Sequence, residues 1–558
     1  MSGAAVAPTP LVAYLAEHAL QEKLTLVLKK VLRDRPANPI AAIGSLLVKE
    51  AASMGKLTTL SWNMAAINNN PFEYWLTHPD KAYSTLMEDV ERLISDPGTF
   101  DEPVQNVFTD AMYKELDELM TKAGFEGSEQ CTKAWEDLAK RPIVSGFIKD
   151  KGLGDKRLMS MPDRMTNTID VLKGGEDSSA YRPSVISSSF EDMPTVEKWW
   201  PLWKKFMFEE SITVPGHKGA PSSNKLPCEL LTKIPRSKYP ALTEEEEAIS
   251  VRLQTVCLAV FDAILVHMLQ TLTPDGKWVA LKRSILQALT LGKESKQVEI
   301  LQTTYAQTDV LFLQEVRTSM MQKSLPAAFQ AEYAIAVPKT PSKADQNSIV
   351  CLSKSRFDPA SLRDLTAEVL AEVPKGGASL SAGDLFVVSA VEKRTGRPII
   401  FASFHGDTDG LATLPALTAV HAIVQKHAPA PLVFGLDANT YLKGKPGKQL
   451  GVDEFVKFYK ELGYYSNFGD MPMSACLTTS IARTFLQPQL QKACKAADKK
   501  SLGDFNPKDH ILFTASAFEL VDAGKDNMGT KSYVEDMVVP TPSWPSDHGL
   551  VYADLKLK

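Results

Sequence analysis

Apolar residues recur along this chain in two rhythms. From Thr9 to about Ala52 the rhythm is helical. Leu11, Leu15, Leu24, Leu28, Val31 and Leu32 fall on one side with charges between them, and Ile40, Ile43, Leu46 and Leu47 make a second stripe. Thr9-Pro10 and Asn38-Pro39 each supply a cap followed by a proline whose missing N–H costs nothing at a first helical turn. Two short helices are predicted, broken at RDRPANPI. Further along, the apolar runs are short and continuous, as in strands buried on both faces: LTTLSW at 57–62, VLFL at 310–313 and LVFGL at 432–436. DLFVVSAVEKRTGRPIIFASFHGD reads as a hairpin turning at Arg394–Arg397.

Helical spacing returns between the first two strands. Tyr83, Leu86, Met87, Val90, Leu93 and Ile94 form one stripe, and Leu253, Val256, Cys257, Val260, Phe261, Ile264 and Met268 another. Thr243 followed by four glutamates suits a capped, acidic first turn. The turn-rich stretches 174–194 and 214–240 are expected to loop over the surface. Trp199, Trp200 and Trp203, at helical spacing, are read as packing residues, and Arg164 and Arg182 as groups that could reach a phosphate.

The strands share a feature at their ends. Asn63, Glu315, His405, and Asp437 with Asn439 each follow an apolar run, while Asp509 and Asp547-His548 each precede one. Polar residues of this kind would be costly inside a sheet, and their repetition at strand ends is what a cleft at one edge of packed sheets requires. The Asn68-Asn69-Asn70 run is read as a turn, and His421, His427 and His510 as structural histidines.

Composition narrows the class. Of 558 residues, 44% are hydrophobic and 23% charged, the balance of a folded globular chain. The longest apolar helix candidate, VCLAVFDAILVHML, carries Asp262 and His267, so no membrane insertion is expected. MSGAAVAPTP lacks the basic and apolar regions of a signal peptide. Six cysteines without CxxC spacing argue against a disulfide framework or zinc site and for a reducing, intracellular, cytoplasmic setting. A net charge of −5 disfavours a nucleic-acid-coating protein but not a nuclease that recruits metal ions.

In order, WN at Trp62-Asn63, LQE at 313–315, SFH at 403–405, DAN at 437–439, DHI at 509–511 and SDH at 546–548 resemble the motifs of the endonuclease/exonuclease/phosphatase superfamily, the DNase I-like fold. The resemblance covers roughly 57–70 and 296–558. It implies an α/β four-layer sandwich, two mixed β-sheets flanked by helices, over 57–558, with a mostly helical insertion at about 72–293. It implies a hydrolase of phosphate ester bonds that binds Mg²⁺, with Mn²⁺ or Ca²⁺ as alternatives. By resemblance Glu315 would ligate the metal with Asn63 and Asp547 nearby. His548 would be the general base oriented by Asp509, Asp437 and Asn439 would position water and phosphate, and His405 would face a phosphate oxygen. The substrate class, nucleic acid or phosphorylated small molecule, stays open.

Tyr14-Leu15 and RPANPI at 35–40 resemble the Dpy/RIIa dimerization-docking motif. That resemblance implies that residues 1–56 form a helical module that makes a homodimer and presents a groove to an amphipathic helix of a scaffold protein, as in nuclear complexes or the axoneme of a cilium or flagellum. By pattern alone, a hairpin packing on its own chain fits equally. The alternative function is a structural or scaffold component that keeps an enzyme-like fold with little turnover.

Overall fold

Strand pairing explains why distant segments meet. The computed structural model describes residues 24–25, 27–29, 31–32, 38–44, 55–216, 221–321, 325–342, 346–374, 380–488 and 503–558. One six-stranded sheet contains β1 (Lys56–Asn63), β2 (Val310–Val316), β3 (Tyr333–Ala336) and β4 (Asn347–Ser353). The other contains β5 (Arg363–Asp364), β6 (Leu385–Val391), β7 (Pro398–His405), β8 (Leu432–Asp437), β9 (Tyr464–Ser466) and β10 (Asp509–Thr514). The chain then returns to the first sheet with β11 (Phe518–Asp526) and β12 (Leu550–Leu557). The strand orders are β11-β12-β1-β2-β4-β3 and β9-β10-β8-β7-β6-β5.

Each sheet has the same heart: a parallel central pair, β1/β2 or β7/β8, flanked by antiparallel partners. The central strands of both sheets therefore end at the same rim. Alternation of side chains sorts the layers. Val310, Phe312, Phe401, Val433, Ile511 and Phe513 fill the space between the sheets. Gly435 sits where an added Cβ would lie 2.4 Å from the Phe312 ring, so glycine permits the close approach of the two sheets there. On the outer faces, Leu60, Trp62, Leu311 and Leu313 pack in one helical layer, and Ile400, Phe404, Leu432 and Phe434 in the other. This is the expected four-layer α/β sandwich of two mixed sheets.

The connection from β1 to β2 holds the insertion. Its helices include α1 (Lys81–Ser95), α2 (Asp110–Lys122), α3 (Ser128–Leu138), α4 (Val196–Phe208), α5 (Ser250–Leu272) and α6 (Lys277–Leu286), gathered into a separate hydrophobic cluster. The next helix, α7 (Lys293–Thr303), belongs to the sandwich, since Val298, Ile300 and Leu301 pack with the outer face of the first sheet. α5 is the one helix among the described residues long and apolar enough to cross a membrane, yet it is enclosed by the insertion on all sides. Trp199, Trp200 and Trp203 are buried packing residues, as expected.

Two expectations need correction. Residues 182–189 do not loop over the surface; they are buried, and Arg182 is not available to a phosphate. Its guanidinium bonds Asp262 at 2.8 Å, Asp163 at 2.7 Å and Thr166 at 2.8 Å. Polar composition misled because these groups satisfy one another inside. The capping box at Thr243 starts a separate short helix, Glu244–Ala248, ahead of α5 rather than α5 itself. Tyr14, Leu15 and Arg35 lie outside the described residues. Within the described part of the N-terminal region, Asn38 caps as expected, its Oδ1 accepting from Ala41 N at 3.0 Å.

Candidate active site

Pairing register brings the strand-end residues together. Asn63 stands beside Gln314, His405 beside Asp437, and Asp437 beside Asp509. Parity then aims them. Asn63, His405, Asp437 and Asp509 share the face of their strands that carries the inter-sheet core, so each points into the rim between the sheets. Glu315 breaks parity: alternation would send it outward with Leu311 and Leu313. A register shift between Leu313 and Val316, with Glu315 at φ 53°, turns it back. A bulge of this kind re-aims a side chain at a cost in backbone strain, the pattern seen at functional sites. Asn439, at φ 48°, is held likewise just past β8.

The resulting cluster is compact. Asn63 Nδ2 donates to Glu315 Oε1 at 3.0 Å and to Asp437 Oδ2 at 2.9 Å. Asn63 Oδ1 accepts from Ala65 N at 2.8 Å, so the Asn63 side chain holds the two carboxylates through Nδ2 in this arrangement rather than offering its oxygen to the cluster. Glu315 Oε2 accepts from Ala66 N at 2.7 Å and from Gln346 Nε2 at 3.1 Å. His405 Nε2 lies 3.3 Å from Glu315 Oε1 and 3.7 Å from Asp437 Oδ2. His548 Nδ1 meets Asp509 Oδ2 at 2.8 Å, and His548 Nε2 faces Asp437 Oδ2 at 3.7 Å. Asn439 donates its N–H to Asp437 Oδ1 at 2.9 Å and accepts from Lys508 Nζ at 3.0 Å.

The Ser546–His548 turn is tied to β1. Ser546 Oγ donates to Asn63 O at 2.7 Å and accepts from His548 N at 3.1 Å. The Trp62 and Trp544 rings, 4.6 Å apart, both donate their indole N–H to His548 O. Beneath this rank, Gln314 Nε2 bonds Ser403 Oγ at 3.1 Å and Ser61 Oγ at 3.2 Å between the sheets.

Electrostatics follow the packing. Burial would raise Asp437, but His548, His405 and Lys508 hold its carboxyl below the usual range. Burial opposes charge on Glu315 too; His405, the Ala66 N–H and Asn63 prevail, and its pKa is lowered. Burial would lower His548, yet Asp509 and Asp437 push it well above the ordinary imidazole value. Asp547 is raised, mainly by burial and further by Glu315. His510 has the opposite parity to Asp509. It is buried between Phe455 and Phe468, bonds Pro507 O at 2.9 Å and is depressed by burial to about 4, so it is a core histidine. His421 pairs with the Tyr464 hydroxyl at 2.9 Å and His427 with Glu368 at 3.3 Å, both away from the rim. Asn68 and Asn70 act as turn residues, each accepting from a backbone N–H two positions on.

The donor set suits a hard divalent cation: Glu315 and Asp437 bring carboxylate oxygens to either side of Asn63 Nδ2, and Asp547 borders the same cavity as Glu315. Asp437, Asp509 and His548 also lie close enough to offer one ligand atom each within 4.8 Å of one another. Asp509 is committed to His548 Nδ1, which favours Glu315 with Asp437 or Asp547 as the residues that would hold the ion.

Two lysines escaped the sequence reading. Lys508 adjoins Asp509, so its place beside Asn439 was open to inference from the motif. Lys293 opens α7, where nothing in the pattern separates it from a solvated helix-start lysine. It is 5% exposed, and its Nζ bonds Ala66 O at 3.1 Å.

A family model described as a domain of unknown function, DUF8234, matches residues 101–283, wholly inside the insertion and less than half of the chain. No curated protein matches. The chain is similar to the solved catalytic domain of human Nocturnin, with bound sulfate, at 16% identity and TM-score 0.31 over 48% of this chain and 87% of that one. It is similar to truncated TDP2 from Caenorhabditis elegans at 15% identity and TM-score 0.31, over 48% and 92%. An endonuclease/exonuclease/phosphatase family protein from Bacteroides thetaiotaomicron aligns at 15% identity and TM-score 0.31, over 47% and 88%. At such identities and scores the fold stands on the strand topology above, and the chemistry on the distances at the rim.

Proposed function

We propose that the chain hydrolyses phosphate esters at this rim. The observation that carries the reading is the convergence of Glu315, Asp437, Asn63, His405 and the Asp509–His548 pair from six segments onto one edge of the sandwich. Asp509 fixes the His548 ring by accepting from Nδ1–H, and Nε2 faces Asp437 and the cluster. The two aspartates favour the protonated ring, and a divalent cation held among the carboxylates would oppose that pull and leave Nε2 a proton acceptor. In hydrolysis, His548 Nε2 takes a proton from the attacking water. The new P–O bond forms as the bond to the leaving oxygen breaks; the leaving oxygen takes a proton from solvent, and His548 later releases its own to solvent. Asp437 and Asn439 orient the water and a phosphate oxygen, and His405 faces the phosphate beside Glu315. Mg²⁺, Mn²⁺ or Ca²⁺ held by Glu315 would supply charge neutralisation at the phosphate. The test is the purified full chain with Mg²⁺ and a panel of DNA, RNA, nucleotides and inositol phosphates. Hydrolysis that falls at least about 100-fold in both Glu315→Gln and His548→Ala is expected; a rate close to that of the unaltered chain in either would sink the assignment.

We also propose that the N-terminal helices pair two copies and receive an amphipathic helix of a scaffold, placing the enzyme in an intracellular assembly. Supporting this, Leu24, Leu28 and Leu32 recur at four-residue spacing and are exposed, as is Ile40. Light scattering should give twice the monomer mass for the full chain and the monomer mass once residues 1–55 are removed.

A further inference from the structure

A cavity of about 360 Å³ opens beside Glu315 and Asp547. Besides Glu315, Gln346 and Lys293, three segments build its walls. The turn after β1 gives Asn68 and Tyr74, the end of the insertion gives Ile285 and Leu289, and the segment before β12 gives Pro545. Without the insertion it would be an open shelf. Glu315 and Asp547 join it to the reactive edge, while Ile67, Leu76, Ile285 and Leu289 give it apolar wall among the polar lining.

Lys293 lines this cavity. An ammonium has three N–H donors. Among the described residues Lys293 Nζ has one hydrogen-bond partner, Ala66 O, although the side chain is 95% buried by its 5% exposure. A buried ammonium with spare donors is costly unless something completes its shell. Burial accordingly depresses it to about 8 against the pull of Asp547 and Glu315. Glu73, Glu315 and Asp547 also border the space. Glu73 is paired with Arg483 at 3.2 Å, and Glu315 and Asp547 stand at the edge where the metal would bind. With the phosphate at the rim beside His405 and His548, the cavity is left for the group attached to it, and the spare Lys293 donors call for an acceptor atom on that group.

We infer that the cavity is the recognition pocket for the organic part of a small phosphate ester, with Lys293 donating to an oxygen or nitrogen of that group. This rests on the phosphoesterase reading and deepens it. The volume lies at the lower end of small-molecule pockets, room for a single ring system but not for a run of nucleotides. The insertion thereby selects compact esters. Lys293 is a specificity-determining residue outside the recurring strand-end motifs.

The probes are methyl phosphate, benzyl phosphate and thymidine 5′-monophosphate, each read by phosphate release, and a ten-residue single-stranded oligonucleotide. Each is assayed with the full chain and Mg²⁺. The ring-bearing esters should be preferred to the methyl ester at least tenfold in kcat/KM. Leu289→Trp, which fills the cavity from a half-buried position, should erase that preference through KM. Lys293→Met, which keeps the volume and removes the donors, should raise KM at least tenfold for the thymidine ester. A urea midpoint held or raised in each variant reports an intact fold. Turnover that depends on His548 but ignores both changes, or a lower KM for the oligonucleotide than for the thymidine ester, overturns the pocket assignment alone. No hydrolysis of any probe by the unaltered chain overturns the phosphoesterase reading and the pocket with it.

Discussion

The rim of the sandwich and the heart of the insertion both bury ionisable groups, and they do so in opposite ways. Around α5, Asp262 accepts from Arg182, Ser184 and Trp203, and Arg182 spends its remaining donors on Asp163 and Thr166. Lys282 donates to Ser184 O at 2.6 Å in the same cluster. Arg182 and its carboxylates answer one another, Lys282 meets a single carbonyl and lies outside the lining of the Lys293 cavity, and the backbone around them is ordinary. At the rim, two carboxylates share one amide, two imidazoles crowd Asp437, and Glu315 and Asn439 adopt positive φ. Burial of charge alone does not mark a site. Convergence of charge at an accessible edge, held by strained backbone, does.

Substitutions can break that contrast. The largest effect is expected at the rim, on rate alone: His548→Ala should cut phosphoester hydrolysis on the order of 10²- to 10⁴-fold while the urea midpoint stays put or rises. A fall in midpoint that matches the loss of rate would make His548 structural. Next, Arg182→Met should cost about 3–5 kcal/mol of stability, because Asp262 and Asp163 would stay buried without their cation. Urea titration measures it, and a cost below about 1 kcal/mol would show that the cluster is not one unit.

Lys282 sharpens the comparison through pH. Burial lowers it to about 7, against roughly 10.4 in the unfolded chain. Between those values the unfolded chain binds a proton that the folded chain does not. Stability should therefore rise with pH across that window, by at most about 1.4 kcal/mol per unit. Lys282→Met should flatten the profile measured by denaturation at pH 7, 8.5 and 10; an unchanged slope would assign it to other groups. The smallest effect is local. Thr195 Oγ1 accepts from Lys198 N at the start of α4, so Thr195→Ala should cost about 1 kcal/mol without touching hydrolysis, as paired stability and rate assays would show.

Much of the rim was legible because strands write their ends plainly. An apolar run followed by a carboxylate, amide or imidazole is a short, contiguous signal, and pairing register turns such signals into neighbours. Glu315 was found by its motif, but the bulge that aims it was not, since no residue in LQEV announces a positive φ. The insertion was legible as helices and not as a wall. Leu289 and Lys293 read as ordinary helical residues until the turn at 65–76 and the segment at 540–547 close over them. Arg182 was misread because a polar stretch inside a core and one on a surface have the same composition; only the partners, 80 positions away at Asp262, tell them apart.

The parallel contact between β1 and β2 has a bearing on how the chain is assembled. These two strands are immediate neighbours in space, yet residues 64–309 separate them in sequence. Bringing such distant ends together in a flexible polymer costs about 2–3 kcal/mol more than closing a single crossover helix of some fifteen residues. An insertion with its own apolar centre can remove that excess by condensing first and delivering both strands side by side. On this account the sandwich nucleates late, and a nascent chain holds β1 unpartnered until the insertion has folded.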